Sequence, residues 1–211
     1  MDEYEVTLPL PGARLPGRFA VPAGSTGAVA FAHGSGSSRH SARNRAVAAE
    51  LEEAGIATLL FDLLTPEEDE QEGRRFDIDL LTERLTGAVH WLGEQEHPSA
   101  SRVGLFGAST GAAAALRTAA DHPELIAGVV SRGGRPDLAG ASALSRVQAP
   151  TLLVVGGDDT TVLGLNEEAA AQLPGPHRTH VVSGATHLFE EPGALEEVAG
   201  AAVDWFTRTL A

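Results

Sequence analysis

Residues 107–111 read Gly-Ala-Ser-Thr-Gly, and the chemistry that such a run permits is nucleophilic. The G-x-S-x-G pattern sets a serine on a tight strand-to-helix turn with its hydroxyl exposed. A glycine on either side removes the Cβ where strand and helix nearly touch. A serine hydroxyl is a poor nucleophile at neutral pH unless a base takes its proton, and that base needs an acid to orient it. In a strand-turn-helix architecture these partners follow in the order Ser, Asp or Glu, His.

Only His177, His180 and His187 come late enough in the chain to serve. His177 precedes the last apolar run, His180 falls inside it, and His187 directly follows it in GATH, so His187 is the expected base. The run TLLVVGG ends in Asp158 and Asp159, and two neighbouring carboxylates cannot both face one imidazole. The G-x-x-D-x-x-V spacing of Gly156, Asp159 and Val162 favours Asp159, which leaves Asp158 as a turn or helix-capping residue. Acyl transfer also needs two donors for the developing oxyanion, each worth roughly 3 kcal/mol. The N–H of Thr110, the residue after the nucleophile, and that of Ser35, in the glycine-rich His33-Gly34-Ser35-Gly36 loop, are the expected pair. His33 precedes the nucleophile and reads as a hydrogen-bonded loop anchor.

These residues must be held by strands that end beside one another. Apolar runs recur at 28–34, 57–62, 102–109, 126–133, 151–157 and 179–184, each ending in Gly, Asp, Ser or His, with helical spacing between them, as in LNEEAAAQL from Leu165. Runs that are apolar throughout suit strands covered on both faces, and ligands of such sheets bind where the strands end. The expected architecture is α/β: a mostly parallel central sheet with helices on both faces in one domain over 1–211. EVTLPL and RLPGRFAVP should form an N-terminal hairpin, confined by its prolines to the sheet edge. LTPEEDEQEGRR, residues 64–75, reads as a solvated acidic loop.

Composition narrows the function. A formal charge of −14 excludes the basic face that nucleic acid requires. The absence of cysteine removes thiolate nucleophiles and thiolate metal sites together. GSGSS lacks G-K-[ST], and the chain has no lysine with which to complete a phosphate loop. Its eight histidines include no H-E-x-x-H, so no metal is expected. With no long apolar run and an acidic N-terminus, a cytoplasmic protein with no membrane partner is expected, as a monomer or homodimer.

The stretches FAHGSGSSRHSARNR, LLFDLLT, GLFGASTGAAAAL, VVSRGGRPDLAG, PTLLVVGGDD and SGATHLFEEPGAL resemble the α/β-hydrolase superfamily, in particular its small dienelactone-hydrolase-like group of serine hydrolases and esterases. The resemblance runs from about residue 28 to 195. It implies hydrolysis of short carboxylic esters or lactones through an acyl-Ser109 intermediate, with no cofactor and a small ester as partner. The enzymes that give the group its name use cysteine, so Ser109 favours general ester hydrolysis. Acyl transfer, thioester cleavage and ligand binding at a silent triad are the competing readings. Some similar sequences are fused to phosphoribosyltransferase domains, and no nucleotide role is carried over from them.

Residues 135–150, between SRGG and TLLVV, are too few for a lid domain, so an open pocket is expected. Arg39, Arg43 and Arg132 fall in loops at the catalytic edge and are candidates for holding a substrate carboxylate. Arg45 and Arg135 share those loops, and pairing with Asp62 and Asp137 is the structural alternative. Leu63, Leu64 and Phe76 are candidates for an apolar pocket wall.

Overall fold

The computed structural model describes residues 1–25, 27–95 and 103–211. Eight strands form one sheet: β1 Asp2–Leu10, β2 Ala13–Val21, β3 Ala28–Ala32, β4 Ala57–Phe61, β5 Val103–Ala108, β6 Ile126–Arg132, β7 Thr151–Gly156 and β8 His177–Val182. Their order is β1-β2-β4-β3-β5-β6-β7-β8. β1 and β2 pair antiparallel, as do β2 and β4, and every other neighbour is parallel. Arg102, the expected first residue of β5, lies outside the described residues.

The unbroken apolar runs follow from two covered faces. In β3, Ala28, Ala30 and Ala32 pack to one side, with Leu85 of helix α4 (Ile78–Gly93) and Leu116 of helix α5 (Thr110–Asp121). Val29 and Phe31 point to the other, against Leu51 of helix α1 (Ala42–Glu53) and Phe206 of helix α8 (Ala194–Thr209). Successive side chains alternate sides because the strand period is two, and both sides are dry. Among the described residues no helix is long and apolar enough to cross a membrane.

The N-terminal hairpin lies at the sheet edge as expected, with β1 outermost. β2 pairs with β4 over Gly17–Ala20, and Pro16 is accommodated just outside that ladder. Two other expectations need correction. Residues 64–75 are not a plain loop, because they hold helices α2 (Pro66–Asp69) and α3 (Glu72–Arg75). The sequence signal is a capping box: Thr65 Oγ1 accepts from the Glu68 N–H, and the Glu68 carboxylate accepts from the Thr65 N–H. Helix α7 spans Thr160–Ala170 and so begins at Thr160, well before Leu165, with Asp159 at its N-cap position. The Asp159 side chain makes no capping bond there, and Asp158 is exposed with its N–H on the Ala185 carbonyl.

The connection from β6 to β7 holds only a 3-10 turn at Pro136–Ala139 and the short helix α6, Ala141–Leu144. No lid domain is inserted.

Candidate active site

Ser109 sits between β5 and α5 with φ 50° and ψ −118°, a conformation that side-chain-bearing residues rarely adopt. The neighbours over-determine it. Its N–H donates to the Arg132 carbonyl at 3.2 Å, and its own carbonyl accepts from the Ala112 and Arg135 N–H groups, each at 3.1 Å. The two flanking glycines have separate steric reasons. A Cβ on Gly107 would run into the Ala112 backbone, and one on Gly111 into the carbonyl of Ala32 at the end of β3. Both are required for the helix to start so close to the sheet.

The same register brings the other strand ends to this point. Ala32 stands beside Gly107, and Ala108 beside Arg132. From the loop after β8, His187 Nδ1 lies 2.7 Å from Asp159 Oδ2. An ionised carboxylate only accepts, so Nδ1 carries the proton and Nε2 is left as a base. The Asp159 side chain is 15% exposed and that of His187 39%, so the acid is sheltered while the imidazole reaches the opening. Among the described residues Ser109 Oγ has no hydrogen-bond partner.

The Ser35 and Thr110 N–H groups donate to no acceptor among the described residues. Thr110 is the first residue of α5, where an unpaired N–H also carries the positive end of the helix dipole. Ser35 is presented by a loop that His33 anchors. The His33 ring is buried, Nε2 accepts from the Leu63 N–H at 3.0 Å, and Nδ1 therefore donates to the Gly34 carbonyl at 3.0 Å. Burial holds its pKa below the ordinary histidine value, so the ring is neutral.

A cavity of about 230 Å³ opens over Ser109 and His187. Of the candidate pocket residues, Arg43 and Arg132 line it. Arg39 does not: its guanidinium and backbone N–H both bind the Asp62 carboxylate, on the far side of His33. Leu63 is buried and lines a narrow crevice beside Ser35 and Thr110, with Leu64. Phe76 is 51% exposed and lines neither space. Of the other two loop arginines, Arg135 forks onto Asp137.

Three contributors escaped the sequence reading. Asn44 in α1 accepts from Arg132 Nη2 at 3.3 Å, Leu188 lines the cavity, and Phe189 lies under the Arg132 guanidinium at 5.9 Å. Only the adjacency of Leu188 and Phe189 to His187 could have drawn attention to them. Asn44 carries no local signal.

Comparison with known proteins agrees with this arrangement at the level of family. The family described as alpha/beta hydrolase domain matches residues 25–204. A crystal structure titled dienelactone hydrolase, from Anabaena variabilis, is 53% identical, with TM-score 0.95 over 100% of this chain and 99% of its own. Est1E of Butyrivibrio proteoclasticus, solved with ferulic acid bound, has TM-score 0.82 at 16% identity, covering 97% of this chain and 99% of its own, a likeness of fold alone. Two Mycobacterium tuberculosis sequences that carry a phosphoribosyl transferase name are 59% identical over 206 residues, which is 97% of this chain but 46% of theirs. The chain thus spans about half the length of these curated relatives.

Proposed function

Because this chain belongs to the alpha/beta hydrolase domain family, we propose that it is a serine hydrolase that cleaves small carboxylic esters, lactones included, through an acyl-Ser109 intermediate. The observation that carries this reading is the 2.7 Å bond between His187 Nδ1 and Asp159 Oδ2 beside a serine held at φ 50° in the same cavity mouth. His187 Nε2 takes the hydroxyl proton as Oγ bonds to the ester carbon, and the carbonyl electron pair moves onto oxygen. The Thr110 and Ser35 N–H groups receive that oxyanion. Collapse breaks the bond to the alkoxy group, which leaves with the proton from His187. Water then repeats the sequence to release the acid and restore Ser109, so the cycle balances without a cofactor.

The likeness to the Anabaena dienelactone hydrolase supports including lactones among the substrates. The name of the mycobacterial relatives is not carried over, because more than half of each lies outside the match.

The test is hydrolysis of p-nitrophenyl acetate and butyrate, and of a five-membered enol lactone, by the wild type, Ser109→Ala, Asp159→Asn and Asp158→Asn. Ser109→Ala should lose roughly 10⁶-fold in kcat, Asp159→Asn about 10⁴-fold, and Asp158→Asn less than about 10-fold. Activity that survives Ser109→Ala overturns the reading, as does a folded wild type inert to these substrates and to a fluorophosphonate probe.

A further inference from the structure

Arg132 is an anomaly in so acidic a chain. It is only 7% exposed, yet no carboxylate pairs with it among the described residues. Among the described residues its one side-chain hydrogen bond goes to the neutral amide oxygen of Asn44, and its Nε has no partner. Burial, with the charge of nearby Arg43, pulls its pKa down to about 10, which still leaves the group charged at neutral pH. Arg43 adds a second buried, unpartnered Nε. Among the described residues its sole carboxylate contact is Nη1 to the exposed Glu190, at 3.4 Å. An isolated buried cation is costly unless something pairs with it.

The surroundings say what is missing. With a formal charge of −14, the chain has a carboxylate available almost everywhere, and Arg18, Arg39, Arg75, Arg84 and Arg135 each have one within 3.0 Å. The cavity over Ser109 is lined by two arginines and by no carboxylate among the described residues. Arg132 is held in place by apolar and neutral contacts, with Phe189 under its face and Asn44 at one tip. Phe189 itself has φ 55° and is buried, so backbone strain is retained where the guanidinium is supported.

We propose that Arg132 and Arg43 form an anion subsite of the hydrolase, so that the preferred substrates are esters bearing a second, ionised group, a carboxylate or a phosphate. This rests on the hydrolase reading of the same cavity and names the substrate class within it. A guanidinium fork matches either group bidentately, and the ester would supply the negative partner that the protein withholds. Specificity then comes from both directions, since a neutral ester leaves the buried charge unpaired.

The test compares pairs differing only in charge: mono-p-nitrophenyl glutarate against its methyl ester for an anion on the acyl side, and 4-acetoxybenzoate against methyl 4-acetoxybenzoate, then 4-acetoxyphenyl phosphate against its dimethyl ester, for one on the alcohol side. In the wild type the anionic-to-neutral ratio of kcat/KM should exceed about 10 on one side, and Arg132→Met should reduce that ratio about 10- to 100-fold, the range of one charge-assisted hydrogen bond. Arg43→Ala, a partly exposed position, should reduce it in the same direction and serves if Arg132→Met does not fold. A ratio near one or below on both sides, or one that neither variant changes, overturns the subsite. Calorimetric binding of monomethyl glutarate and of phenyl phosphate to Ser109→Ala separates this from the hydrolase reading. Binding that disappears when Arg132→Met is added supports the subsite even if no ester is cleaved. If none is cleaved, the absence of binding by either anion overturns it.

Discussion

His33 is a titratable group buried at the foot of the Ser35 loop and outside the proposed proton relay, and its cost is visible through pH. Burial lowers its pKa in the folded state below the ordinary value of 6.5. As pH falls through that value the unfolded chain takes up the proton first. The contribution of neutral His33 to stability is therefore complete above about pH 6.5 and is lost as pH drops toward the folded value, at up to about 1.4 kcal/mol per pH unit for one proton. Urea unfolding of the wild type at pH 7.5, 6.5 and 5.5 should show this decline, and His33→Asn should show a shallower one. Parallel slopes would dissociate the acid sensitivity from His33. The substitution should also lower kcat more than it raises KM, because His33 holds the Gly34 carbonyl and the Leu63 N–H and so fixes the loop that presents Ser35. That is a positioning role, expressed in the transition state.

Elements reach the site through anchors far from it, and the N-terminal hairpin shows how. Arg18 in β2 reaches Glu52 at the end of α1 at 2.7 Å and Glu3 in β1 at 2.8 Å, while Thr58 of β4 donates to the same Glu52 carboxylate. The Glu52 side chain is 6% exposed and that of Glu3 49%, so the two ion pairs differ in worth. Arg18→Met, which strands the buried carboxylate, should cost about 2 kcal/mol in chemical denaturation. Glu3→Gln should cost less than about 1 kcal/mol; equal losses would show that burial does not set the difference. These long-range partners mark the limit of what the sequence discloses. The strands were legible because a strand dry on both faces leaves an unbroken apolar run, as ATLLF does. Ser109 and Asp159 could be ordered because each closely follows such a run, whereas His187 follows β8, an edge strand in which Val182 alone is buried. The start of α7 was missed because Thr160 to Gly164 lack helical patterning, and α2 because its acidic residues resemble a solvated loop until the Thr65 and Glu68 cap is noticed. Arg39 and Arg132 look alike in sequence, each near a strand end. Only packing separates them, by setting Asp62 against one and Asn44 with Phe189 against the other.

At the scale of the whole molecule, the proposed hydrolysis predicts a limit on substrate length. The connection between β6 and β7 packs Ala139, Ala143 and Leu144 into the core beside α5, and contributes no residue to the cavity wall among those described. The cavity of about 230 Å³ is below the ~300–1,000 Å³ of pockets that enclose drug-sized ligands. Each methylene that gains a protein wall contributes about 0.8 kcal/mol, or about fourfold in kcat/KM, whereas one left in water contributes nothing. Across p-nitrophenyl acetate, butyrate, hexanoate and decanoate, assayed below their aggregation limits, kcat/KM should therefore rise to butyrate and then level off. A lidded pocket would continue to gain at every step and exceed the butyrate value by more than about 10³ at decanoate. A continued climb would mean that an apolar wall forms over the mouth when substrate binds, and the exposed Leu188 at the rim is the residue from which it would have to be built.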